Sequence, residues 1–245
     1  MANNFSNKKP SRRQFLAGAA ALSAGSAAAG SVSASGDPLI TEVQEWAQIT
    51  GDGVDATPYG LPIEFEKDVV RRNVGWLTAD TISSINFTPI HALDGTITPQ
   101  GCAFERHHSG AIELRKQDYR LMINGLVDQE LIFTYEDLER FPREQHVYFC
   151  ECAANTGMEW AGAQLNGVQF THGMIHNMEY TGVPLRTLLN EAGLNAAGDL
   201  KGKWIFVEGA DASSNGRSIP MEKALDDVLV AFKANGEALR KEHGY

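Results

Sequence analysis

Along most of its length the chain alternates short apolar runs with turn residues, and few runs are long enough for a helix. Tyr119, Leu121 and Ile123 share one side of an alternating run that ends in Asn124-Gly125, a hairpin signal. Leu131-Ile132-Phe133 reads as the returning strand. Thr134 then offers an N-cap with Asp137 at the third helical position, so a short helix is expected, ending before Pro142. Gln145 to Cys152 predicts a strand, with Val147, Phe149 and Glu151 on one side and Tyr148, Cys150 and Cys152 on the other. Gly182-Val183-Pro184-Leu185 leads into a short helix through Leu189 that closes at Gly193. Lys203 to Glu208 predicts a strand with Trp204, Phe206 and Glu208 on one face. Pro220 to Leu225 reads as a helix, and Val228 to Phe232 as a buried strand before Asn235-Gly236. Earlier in the chain the pattern is weaker: Thr41 to Ile49 is a candidate short helix, and Thr81 to Pro99 mixes apolar runs with turns. Short strands, short helices and many turns predict a mixed, β-rich α+β fold.

The amino-terminal residues break this pattern. Lys8 and Lys9 precede Ser11-Arg12-Arg13-Gln14-Phe15-Leu16, and a weakly apolar Ala/Gly/Leu run follows from Ala17 to Gly30. A basic start, a short apolar stretch and small residues near a cleavage point make residues 1–34 a signal peptide. The paired arginines before Phe-Leu make it a twin-arginine signal. The expected product is a periplasmic protein, with an irregular segment over 35–59 and one domain over 60–245. The apolar run is too short to span a bilayer, and no later segment reaches the ~18 apolar residues that a membrane span needs.

Charge narrows the partners. The chain has 21 basic and 31 acidic side chains. Four of the basic ones (Lys8, Lys9, Arg12, Arg13) lie in the signal, leaving 17 against 31 and a net charge of −14. That excludes nucleic acid and an anionic membrane surface as partners, and an anionic substrate would need a local positive pocket. Three cysteines do not form an even disulfide framework. Cys150 and Cys152 are also too close along a strand for an unstrained bridge.

Candidate chemistry collects in four places. Cys152 is followed by Ala153, Ala154 and Asn155, small residues that let other groups approach its sulfur. A thiolate at a strand end suits a nucleophile or a soft metal ligand; the alternative is a small buried hydrophobe. Phe104-Glu105-Arg106-His107-His108 packs a guanidinium and two imidazoles into five residues. Arg offers a fixed fork to planar oxyanions and His exchanges protons near neutral pH, the alternative being a solvated basic loop. Glu208-Gly209-Ala210-Asp211 runs from a strand into a carboxylate loop ahead of Gly216-Arg217-Ser218-Ile219-Pro220, and His243-Gly244-Tyr245 ends the chain.

In order and spacing these phrases resemble the molybdenum-pterin domain of the sulfite oxidase family, and within it the sulfane (sulfite) dehydrogenase branch. The likeness is carried by Phe104 to Gly110, by Glu151 to Asn155 with Gly157-Met158-Glu159-Trp160, and by Gly167 to His176. It continues through Glu208 to Asp211, Ser218-Ile219-Pro220, and Asn235-Gly236 leading to His243-Gly244-Tyr245. It implies that Cys152 is the thiolate ligand of a molybdenum–molybdopterin cofactor, a thiolate being a soft ligand bound fully deprotonated. Arg106 occupies the Arg position of the family's Phe-x-Arg-Asn-His phrase, and the likeness gives it the catalytic task of holding an anionic substrate at the metal. Phe104, Glu105, Arg106, His107, His108, Asp211 and His243 are implied pterin contacts. The implied reaction moves oxygen onto a reduced sulfur compound, either sulfite or sulfane sulfur carried on a Sox carrier protein. Electrons leave singly to a c-type, dihaem cytochrome subunit.

Three departures from the family pattern matter. Thr156-Gly157 stands where sulfite oxidases carry arginines, which favours the sulfane branch, and His107 replaces an Asn. The chain stops at Tyr245, before the family's further pterin contacts, active-site Tyr, second substrate Arg and immunoglobulin-like dimerisation domain, so a carboxy-terminally truncated enzyme is expected. The competing expectations are a non-catalytic, cofactor-binding fragment and the methionine sulfoxide reductase branch of the same family. The Phe-Glu-Arg-His-His and Gly-Met-Glu-Trp phrases fit the latter less well.

Overall fold

In the computed structural model the described residues are 49–50, 56, 58–78, 82–110, 113–194 and 202–244. The signal over 1–34 and all but the last residue of the Thr41–Ile49 helix candidate lie outside them. Three short strands, β1 (Arg72–Asn73), β2 (Ser84–Phe87) and β3 (Arg106–His107), form an antiparallel sheet in that order, with Arg72 opposite Phe87 and Ile85 opposite Arg106. β4 (Leu121–Ile123) and β5 (Leu131–Phe133) pair as the alternating pattern predicts, Leu121 opposite Phe133. α1 (Tyr135–Leu138) starts on a capping box: Asp137 N–H donates to Thr134 Oγ1 at 3.2 Å, and Thr134 N–H to Asp137 Oδ2 at 3.0 Å.

The remaining elements are β6 (Glu144–Glu151), α2 (Val168–His172), β7 (Ile175–Pro184), α3 (Leu185–Glu191), β8 (Trp204–Glu208), β9 (Gly216–Pro220), α4 (Met221–Asp226), β10 (Leu229–Ala234) and β11 (Glu237–Ala238). The largest sheet runs β11-β10-β7-β6, antiparallel throughout, while β8 and β9 make a separate two-stranded ribbon. β7 is its central strand, and the sequence pattern does not predict it. Buried polar residues interrupt both of its faces, His176 on one and Thr181 on the other, so no continuous apolar stripe marks it. β2 is hidden for a similar reason, because buried Asn86 interrupts Ile85 and Phe87.

The main core joins Phe133 and Leu138 to Val183, Leu188, Met221 and Phe232, packing the short helices on the large sheet. A second cluster of Val74, Ile85, Phe87, Phe104, Phe170 and Met174 lies against Cys152 and Met158. No helix among the described residues is long and apolar enough to cross a membrane.

Candidate cofactor site

The site grows from the end of the β6–β7 ladder. Cys150 stands opposite His176, and Glu151 opposite Ile175. One step beyond, the Cys152 N–H donates to the Met174 carbonyl at 3.0 Å. The chain then turns, Asn155 N–H donating to the Cys152 carbonyl at 2.9 Å. The Asn155 side chain, only 8% exposed, staples this turn: its Oδ1 accepts from Met174 N–H at 3.1 Å and its Nδ2 donates to Glu151 Oε1 at 3.0 Å. Thr156 follows with φ 63°, a left-handed conformation costly for a β-branched residue, held as its N–H donates to the Thr171 carbonyl at 3.0 Å. Ala153 and Ala154 are exposed, and half-buried Cys152 packs on the second core cluster. All three cysteines, Cys102, Cys150 and Cys152, are free thiols.

The Phe104–His108 segment lies beside this turn, Phe104 and Cys152 meeting in the second core cluster. Arg106 is half-buried and donates from Nη1 to the carbonyls of Ser84, at 3.4 Å, and His107. Both bonds use one terminal nitrogen, and among the described residues the rest of the fork makes no backbone hydrogen bond. Glu105 accepts from Asn86 Nδ2, lies 3.6 Å from Arg71 Nη1 and holds His107 Nε2 at 2.8 Å. His108 is exposed, and its carbonyl accepts from Ser83 Oγ at 2.8 Å.

Arg71 draws this segment to the end of the chain. Its Nη1 donates to the Ala103 carbonyl at 3.4 Å, and its Nη2 pairs with Glu242 at 3.2 Å, where Arg240 Nε also binds at 2.9 Å. Burial alone would push the Glu242 carboxyl up; a backbone hydrogen bond with Arg240, Arg71 and His243 outweighs it and holds the group below its ordinary value. Beside Glu242, His243 donates from Nε2 to the Phe104 carbonyl at 3.3 Å. The His176 ring lies 5.8 Å from that of His243 and 5.0 Å from that of Phe104, centroid to centroid. Burial, helped by His243, lowers the His176 pKa to about 4. Burial likewise lowers that of His243, against the pull of Glu242. Both rings are therefore neutral at pH 7, and the Nδ1 of each is buried without a hydrogen-bond partner.

Phe104, Glu105, Arg106, His107 and His243 are thus joined by direct contacts, and Cys152 meets Phe104 through the shared core cluster. Asp211 sits in the turn after β8, its carboxylate accepting from Ser213 Oγ at 2.8 and 2.7 Å. Among the described residues, His108 and Asp211 share no side-chain hydrogen bond or ion pair with the others. His176 lies in one of the motif phrases but has no role on sequence grounds, since only the cross-strand pairing with Cys150 brings it to the site. A cavity of about 850 Å³ between Tyr59, Arg71, Cys102 and Arg240, and one of about 380 Å³ between Leu121, Leu189 and Trp204, lie away from Cys152 and Arg106.

Among the described residues, no group of three or more His, Cys, Asp and Glu side chains is placed to hold a metal ion. Cys152 would therefore be a lone protein ligand, and a metal there must bring most of its ligands with it, as a pterin dithiolate complex does. Two orphaned ring nitrogens nearby suit the polar edge of such a heterocycle. On both counts the residues fit the molybdopterin group.

Comparison with known proteins points to the same cofactor. The family described as oxidoreductase molybdopterin binding domain matches residues 108–245. The chain is 71% identical to a chain in the crystal structure of the sulfane dehydrogenase SoxCD from Paracoccus pantotrophus, with a TM-score of 0.73, covering 86% of this chain and 53% of that one. Mitochondrial sulfite oxidase of Mus musculus is 30% identical over 161 residues, 62% of this chain and 29% of that protein. Inducible NADH nitrate reductase 2 of Glycine max is 32% identical over 163 residues, 62% of this chain and 18% of that protein. The chain thus spans about half of the bacterial chain and less than a third of either eukaryotic relative.

Proposed function

The chain belongs to the family of oxidoreductase molybdopterin-binding domains, and from that premise we propose that it oxidises a reduced sulfur compound as the cofactor-bearing part of a sulfite oxidase-type enzyme. The observation that carries the reading is Cys152, a thiol at a strand end, fixed by Asn155 and facing no competing protein ligand set. The cofactor is molybdenum–molybdopterin, which when bound supplies oxygen-atom transfer at sulfur coupled to a two-electron change. Cys152, deprotonated, offers it a soft anionic ligand. Asn155 holds that ligand in place by tying its turn to both β6 and the start of β7. Arg106 supplies local positive charge for an anionic substrate in a chain whose net charge is −10. Glu105 acts as an internal counter-ion to Arg71 and hydrogen-bonds His107, which fixes the strand that carries Arg106. Phe104 and its cluster keep water from one side of the thiol.

Sulfane sulfur carried on a Sox carrier protein is the substrate favoured over free sulfite. The 71% identity to a sulfane dehydrogenase chain supports it, as does Thr156-Gly157 in place of arginines. A c-type, dihaem cytochrome subunit is the proposed electron acceptor. Residues 1–34 are proposed as a twin-arginine signal that delivers the folded protein to the periplasm, followed by a linker over 35–59 and the cofactor domain over 60–245.

The test is to purify the full chain from a host that makes the cofactor, then measure molybdenum per protein and thiosulfate- or sulfite-dependent reduction of an added c-type cytochrome. Cys152→Ser is expected to lose both metal and turnover, and Cys102→Ser to keep both. Equal metal content in Cys152→Ser and the parent would refute the ligand role. Metal without cytochrome reduction would replace the enzyme reading by a cofactor-holding chain that does not turn over.

A further inference from the structure

Among the described residues three buried side-chain polar atoms have no hydrogen-bond partner, and two of them, Nδ1 of His176 and Nδ1 of His243, belong to rings whose centroids lie 5.8 Å apart. An unpaired polar atom in a protein interior carries a free-energy penalty, so a native structure that keeps two together has a partner for them. Their hydrogen-bonding characters differ. His243 Nε2 donates to the Phe104 carbonyl, so the neutral ring carries its proton there and its Nδ1 is a bare acceptor. His176 Nε2 lies 2.8 Å from the Tyr180 hydroxyl. A phenol O–H is a better donor than acceptor and a bare imidazole nitrogen the stronger acceptor, so the hydroxyl is assigned as donor and the ring proton of His176 to Nδ1. The pair therefore presents one donor and one acceptor on adjacent rings.

That combination selects among ligands. A metal ion would need two bare nitrogens and meets only one. An inorganic anion would need two donors and also meets only one. A heterocycle whose edge carries an N–H next to a ring nitrogen or carbonyl satisfies both. The position agrees: His176 stands opposite Cys150, and Cys152 lies two residues further on, just past the end of β6, about 7 Å away at ordinary strand rise. The Phe104 ring, 5.0 Å from that of His176, adds an apolar wall.

We infer that His176 and His243 together bind the polar edge of the pterin, His176 as donor and His243 as acceptor, which makes His176 a cofactor-contact residue. Tyr180 is a positioning residue that sets the His176 tautomer. The inference rests on the reading of this chain as a molybdopterin protein.

The full chain and its variants, purified from a cofactor-making host and washed by gel filtration, are assayed for pterin by fluorescence of its oxidised, released form, and for molybdenum by mass spectrometry. His176→Phe keeps a ring of similar size and is expected to lower both about tenfold, the scale on which supporting contacts change cofactor affinity. His176→Asn, whose amide N–H replaces the donor, is expected to restore most of the pterin. Tyr180→Phe is expected to give a smaller loss in the same direction. The cofactor-free forms should share circular dichroism and melting midpoint with the parent, which separates lost binding from lost folding. A loaded parent with an equally loaded His176→Phe overturns the inference and leaves the ring as core filler or the partner of a buried water. Should His176→Phe not fold, full pterin retention in Tyr180→Phe overturns it instead. An empty parent overturns the molybdopterin reading itself, and the role of His176 with it.

Discussion

Asn155 shows how much one side chain decides around Cys152. Removing it in Asn155→Ala leaves the buried Met174 N–H without its side-chain acceptor and frees Glu151, so stability should fall by about 1–3 kcal/mol. Urea denaturation of the cofactor-free chain measures this, and molybdenum retention should fall with it. His176 makes a pH prediction. Its folded pKa of about 4 lies below the ordinary 6.5, so between these values the unfolded chain binds more protons than the folded one. The stability it contributes is complete above about pH 6.5 and is lost as pH falls toward 4, on the order of 3 kcal/mol in all. Denaturation midpoints of the cofactor-free chain from pH 7 to 4 should drop more steeply in the parent than in His176→Asn. His243 shifts in the same direction, so the acid sensitivity of the variant is reduced rather than abolished. At this scale the chemistry-bearing types in Cys152, Arg106 and His243 are legible in sequence, because residue type is what sequence records. The pairing of Glu105 with Arg71 and His107 is not, since it depends on a guanidinium 34 positions away.

At the level of elements, local signals survive and non-local ones do not. The Thr134–Asp137 capping box needs only four consecutive residues, and the helix starts there. Thr134→Ala should cost about 1 kcal/mol in thermal or urea unfolding. β7 is the opposite case: it is an inner strand, yet buried His176 on one face and buried Thr181 on the other remove the apolar alternation by which a strand is found. β6 was expected from its alternation, but its apolar Val147 and Phe149 turn out exposed, since the pattern defines a face and not what covers it. Gly173, between α2 and β7, is held by close packing. A Cβ there would strike the Gln169 carbonyl and come within 2.7 Å of Phe87 Cβ and 2.9 Å of the Thr88 carbonyl. Gly173→Ala should therefore destabilise by about 2–3 kcal/mol and displace Met174, which accepts from the Cys152 N–H. Melting midpoint together with molybdenum content checks both consequences.

For the whole molecule, the notable feature is apolar surface on two strands. Phe149 is 69% exposed on β6, the outer strand of the four-stranded sheet, and Trp204 is 61% exposed on β8. An outer strand with unpaired backbone groups and apolar side chains promotes association. Sedimentation velocity should show this chain associating as concentration rises, and Phe149→Lys should raise the monomer fraction; an unchanged profile would clear β6 of that role. The mixed α+β class, the turns and the caps were determined by the sequence alone, as was the residue type at each motif position. They depend on residue type and on interactions a few positions apart. The tertiary structure alone decided which polar groups are spent on one another and which are left over. Glu105 is consumed by Arg71 and His107, Asn155 is a staple, and His176 joins His243 with a nitrogen to spare. Such partnerships follow from strand register and burial, which are properties of the folded chain and leave no local trace in the order of its residues.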